Sequence, residues 1–128
     1  MRMKRTGWGP GVGLAAAVGV FALAANAAWA ADADNGKKVF EVCTGCHSGG
    51  PHAVGPDLRD VFGRQAGTLP DYKYSPAMKR SKIVWDEKNL TEYIANPQAK
   101  VKANNMAFRG VRDPKSIADL VEFLKDYK

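Results

Sequence analysis

Two thiols and an imidazole stand together at Cys43-Thr44-Gly45-Cys46-His47. Cysteines three positions apart project to the same side of a helical turn, so each can add to a vinyl group of one porphyrin, and the histidine directly after them then lies beneath the iron. The spacing reads as covalent haem attachment. Other uses of two thiols fit less well. Cys43 and Cys46 are the only cysteines, so a structural zinc site would have to recruit both His47 and His52 from a glycine-rich stretch. A dithiol redox motif should sit where a strand enters a helix, and nothing strand-like precedes Glu41. A plain disulfide is the remaining alternative.

Helices must position these groups, and the pattern places them at the two ends and in the second half. The first is expected from about Asp34 to Cys46, capped by Asp34 or Asn35, with Val39, Phe40, Val42 and Cys43 on its apolar face. It would deliver the attachment motif. Between Ser48 and Val84, Gly49, Gly50, Pro51, Gly55, Pro56, Gly63, Gly67, Pro70 and Pro76 exclude any long helix or strand. So long a loop region normally counts against a compact domain, but loops can wrap a large rigid apolar group whose burial replaces helix packing. A second helix is expected from about Asp86 to Asn96, stopped by Pro97, with Leu90, Tyr93 and Ile94 on one face. Asp113 caps the last, Pro114 opens it, and Ile117, Leu120, Val121 and Leu124 recur at helical spacing up to Tyr127. The reading is an all-α domain.

The chain begins with basic Arg2, Lys4 and Arg5, an Ala/Val/Gly/Leu run from Val12 to Ala25, and the small-x-small pattern Ala28-Trp29-Ala30. This predicts a secretory signal over residues 1–30, cleaved after Ala30, and a haem domain over 31–128 in the periplasm. An uncleaved anchor is the alternative, since Gly7 to Ala31 carries no charge. Its Ala and Gly contribute little insertion energy, and Pro10 and Asn26 interrupt it. Removing three basic residues with the signal takes the formal charge from +6 to +3. With no nucleic-acid motif and no strongly basic helix or tail, nucleic acid is not an expected partner.

In this order the domain resembles a class I cytochrome c, close to the mitochondrial type and its bacterial relatives. Beyond Cys43–His47, the likeness rests on Gly55-Pro56-Asp57-Leu58, Phe62-Gly63-Arg64-Gln65-Ala66-Gly67, Tyr72-Lys73-Tyr74-Ser75, Trp85, Tyr93-Ile94-Ala95-Asn96-Pro97 and Met106-Ala107-Phe108. It implies the class I fold, about four helices and long loops around one covalently bound haem c. It also implies roles. His47 and Met106 would be the axial iron ligands, the carbonyl of Pro56 would hold the other ring nitrogen of His47, and Arg64, Tyr74 and Trp85 would hold the propionates, with Asn104 assisting. Tyr93 would approach the Met106 sulfur, Phe108 would shield the exposed haem edge, Met78 would pack beside the haem, and His52 would pin neighbouring loops. Gly36 and Phe40 would lie where the first helix crosses the last at Leu120 and Phe123.

The resemblance departs before the axial methionine, where mitochondrial members usually have Pro-Gly-Thr-Lys and this chain has Lys102-Ala103-Asn104-Asn105. A haem ligated by His and Met on both faces leaves no site for oxygen or peroxide, so the expected function is one-electron transfer rather than an enzyme reaction. The implied partners are membrane complexes: a quinol-oxidising donor, and a terminal oxidase or photosynthetic reaction centre as acceptor. They would be met transiently by a monomer through Lys37, Lys38, Lys100, Lys102 and Arg109 around the haem edge. A haem peroxidase or ligand sensor, with an open sixth position, is the alternative.

Overall fold

The first helix, α1 (Ala33–Thr44), starts two residues before the expected caps, because the Asp32 carboxylate accepts the backbone N–H groups of Asp34 (2.9 Å) and Asn35 (3.2 Å). The computed structural model describes residues 29–50 and 52–128, together with Gly7, Gly9 and Gly11. The expected export signal therefore lies outside the described residues, apart from those glycines, Trp29 and Ala30. Four further helices follow: α2 (Pro76–Ser81), α3 (Glu87–Ala95), α4 (Pro97–Lys100) and α5 (Pro114–Lys125). Among the described residues there is no strand, only one antiparallel bridge between Gln65 and Val84. Around that bridge Trp85 N–H donates to Arg64 O at 2.9 Å and Ala66 N–H to Ile83 O at 2.7 Å, which fastens the two loops flanking α2.

Each helix begins with a side chain that replaces a missing backbone partner. Ser75, Asp86, Asn96 and Asp113 cap α2, α3, α4 and α5, and proline stands in the first turn of α2, α4 and α5. Pro97 does not simply end α3. Asn96 turns to an extended conformation (φ −157°, ψ 92°), and Pro97 opens the four-residue α4.

The core forms where α1 crosses α5. Gly36 is buried there, and a Cβ at that position would overlap the Asp119 carbonyl, so only glycine lets the two backbones meet. Phe40 packs on Phe123 and Tyr127 with ring centroids 5.2 and 4.9 Å away. Beneath them Leu120 and Val121 are 1% and 2% exposed, so truncating Leu120 to Ala should cost about 2–5 kcal/mol. Asp119 is also fully buried. Its carboxylate takes the Asp32 N–H at 2.8 Å and the Asn35 Nδ2–H at 2.7 Å, and pairs with the Lys115 ammonium. Helix α3 lies against both α4 and α5.

Candidate functional site

α1 ends at Thr44, but the chain turns on. The N–H groups of Cys46 and His47 both donate to Cys43 O, at 3.2 and 2.9 Å, so the motif occupies one continuing turn. Gly55 N–H then donates to Cys46 O at 2.8 Å and brings the next loop back across it. His47 Nδ1 lies 2.7 Å from Pro56 O, which makes Nδ1 the protonated nitrogen and leaves Nε2 with its lone pair. A Cβ on Gly55 would fall 2.5 Å from His47 Cε1, so the glycine keeps the space that the ring occupies.

A large, mostly apolar cavity opens beside this turn. The ten residues expected to hold or shield the haem all line it: Cys43, Cys46, His47, Pro56, Arg64, Tyr74, Trp85, Tyr93, Met106 and Phe108. They come from the end of α1, the long loop, α3 and the loop between α4 and α5. Phe40, Leu58, Val61, Leu90, Ile94, Leu120 and Leu124 add apolar wall. Met78, 8% exposed, lines it too, with its N–H held by Ser75 Oγ at 3.1 Å.

The polar groups are few, and Arg64 is held in place. Arg64 donates to Arg59 O (3.0 Å) and Asp57 O (2.9 Å), which uses two of its five N–H groups. Burial pushes the Tyr93 hydroxyl up to about 12, with Tyr72 adding to the rise, and also raises that of Tyr74. Both phenols thus keep a proton to donate at neutral pH. Burial raises the Cys43 thiol as well, and neighbouring Cys46 adds to it. Trp85 and Tyr93 pack with their rings tilted at 55° and centroids 4.9 Å apart.

Three expectations change. Asn104 is not free to hold an anionic group: its Nδ2 donates to Pro97 O (2.9 Å) and Val101 O (2.8 Å), and its Oδ1 accepts the Met106 N–H (2.7 Å). His52 is exposed and makes no side-chain hydrogen bond among the described residues. The loop is pinned instead by Tyr72, whose Oη donates to Val54 O at 2.9 Å. Lys100 is engaged by Glu92, a carboxylate that also binds Lys88 and is held down at about 2 by the two ammonium groups. Val42, expected on the apolar face of the first helix, is 62% exposed and lines the cavity at its rim. Sequence reasoning passed over Val54, which is 73% exposed and also lines the rim; its signal was weak, since an isolated surface valine is ordinary.

Residues 33–128 match the family model for cytochrome c. The chain belongs to the cytochrome c family. Cytochrome c2 of Blastochloris viridis is 45% identical over 114 residues, covering 85% of this chain and 90% of that protein. The plant cytochrome c of Sesamum indicum is 38% identical, over 74% of this chain and 89% of its own. Among solved structures, cytochrome cH from Methylobacterium extorquens superposes with a TM-score of 0.70 at 39% identity, over 73% of this chain and 97% of that one. The fold of this cytochrome is thus the class I fold, and its cofactor is one haem c, joined covalently through Cys43 and Cys46. The cavity fits such a group. It offers two thiols on one turn, apolar walls, an imidazole with its second nitrogen already bonded and thioethers, with donors left over at Arg64 and the aromatic polar tips.

Proposed function

We propose that this cytochrome is a soluble one-electron carrier, with His47 Nε2 and Met106 Sδ as the two axial ligands. One observation carries the reading: a single apolar cavity collects Cys43, Cys46, His47 and Met106, with the His47 ring locked by Pro56 O. The haem iron supplies a one-electron couple that the thioether biases toward the ferrous form. The protein positions and shields. Arg64, Tyr74 and Trp85 hold the propionates, Tyr93 lies against the Met106 side chain, and Phe108 covers the rim. With His47 and Met106 both holding the iron, no position would be left for oxygen or peroxide, and the bound haem would supply one-electron transfer without bond making.

Residues 1–30 serve as an export signal cleaved after Ala30, and the mature protein works in the periplasm as a monomer. Its donor is a quinol-oxidising membrane complex, and its acceptor a terminal oxidase or a photosynthetic reaction centre. The ferric absorption spectrum tests the ligation directly. A weak sulfur-to-iron band at the red end is expected. High-spin features in its place would overturn the carrier and favour a peroxidase or ligand sensor. The mass of protein released from the periplasm tests the processing, and a mass including residues 1–30 would overturn it.

A further inference from the structure

The segment just before Met106 contains neither of the two residues that usually shape a tight turn. Lys102-Ala103-Asn104-Asn105 has no proline and no glycine, yet Ala103 takes a left-handed conformation, φ 65°, that a non-glycine residue adopts only at a cost. Something must hold it there. Asn104 is 7% exposed and uses its side chain fully: two amide hydrogens to Pro97 O and Val101 O, and its oxygen for the Met106 N–H. Its backbone joins in. Asn104 N–H donates to Val101 O at 3.2 Å, and Asn104 O accepts from Gln98 Nε2 at 3.1 Å. The first and last carbonyls of the α4 turn and the backbone of Met106 therefore meet at one side chain.

We propose that Asn104 is a positioning residue that clamps the Met106 loop onto α4 and so sets how readily Met106 leaves the iron. The inference rests on Met106 being a ligand. No other side chain does this work. Gln98 grips only the Asn104 carbonyl, whereas removal of the Asn104 amide would leave the part-buried Met106 N–H unpaired and take one of two hydrogen bonds from each of Pro97 O and Val101 O.

The test uses the haem-loaded protein and two readouts that general destabilisation does not move. One is the affinity of ferric protein for imidazole, which enters only when Met106 departs. The other is the pH at which the sulfur-to-iron band disappears. Asn104→Ala should tighten imidazole binding by about tenfold, the factor expected from one buried hydrogen bond left unmade, and lower the pH of band loss by about one unit. Asn104→Asp keeps the acceptor but loses both donors, and should behave like Asn104→Ala. Val121→Ala, buried on α5 but not lining the cavity, should lower the denaturation midpoint while both readouts stay put. If Asn104→Ala leaves both readouts unchanged, or Val121→Ala moves them equally, the clamp is overturned. A wild-type spectrum without the band would instead overturn the assignment of Met106, and the clamp with it.

Discussion

Gly55 and Pro56 act on one ring from two sides, the first by leaving space and the second by accepting a hydrogen bond. Gly55→Ala should therefore displace His47, with a loss of about 1–3 kcal/mol in denaturant melts and a lower haem content per protein; an unchanged melt would show that the ring can shift freely. The two methionines separate in the same way. Met106→Ala should abolish the sulfur-to-iron band, lower the reduction potential and admit carbon monoxide. Met78→Ala should keep the band but cost about 2–5 kcal/mol, because its side chain is buried. The reverse pattern would make Met78 the ligand. Cys43, Cys46 and His47 were legible because the chemistry needs them adjacent. Met106 lies sixty positions on, and only the family resemblance tied it to them. Asn104 was misread for a plain reason: its type signals a donor, but not which acceptors the fold would bring to it.

The α1–α5 crossing depends on a buried charge as much as on its apolar contacts. The Lys115 ammonium, the Asp32 N–H and the Asn35 amide hold the Asp119 carboxyl at about 2, below the ordinary value of 3.8. A depressed folded-state value means that the unfolded chain binds the proton first. This contribution to stability is then complete above about pH 4 and fades as the pH falls toward 2. Asp119→Asn should be less stable than the wild type at neutral pH, and its stability should fall less between pH 4 and 2. Parallel acid limbs for the two proteins would remove Asp119 from the account. The helices with clear caps and stripes, α3 and α5, could be read almost to the residue. α1 slipped because Asp32 and Asp34 are equally good caps by type, and only the position of Asp119 chooses between them. α2 and α4 are too short to show a period, although Ser75-Pro76 and Asn96-Pro97 carry the same cap-then-proline signature as Asp113-Pro114.

The charge layout of the molecule narrows the expected docking face. Lys100 is spent on Glu92, and Lys37 borders the same shallow groove as Glu122 and Asp126, so neither is well placed to steer a partner. Lys38, Lys102 and Arg109 remain, all exposed, and the last two lie on either side of Met106 in the chain. Reversing Lys102 and Arg109 to Glu should slow association with an acidic redox partner at low salt, most visibly between about 0.01 and 0.1 M, where screening shortens from ~30 to ~10 Å. Lys100→Glu should change the rate far less. Equal rates for the double variant and the wild type in stopped-flow mixing would move docking to another face. The contact made by Gly36 bears on how the chain comes into being. It joins the two ends of the described domain, with nearly all the cavity-lining loops between them, so it closes a loop that spans most of the domain. A twelve-residue helix such as α1 is marginal by itself in water. In a chain that emerges from its N-terminus, α1 therefore waits for α5, and until then Cys43 and Cys46 sit on a loose, open segment. Helix α5, made after α1, would then decide when the segment carrying Cys43 and Cys46 becomes ordered, and the interval before that would be open to covalent attachment.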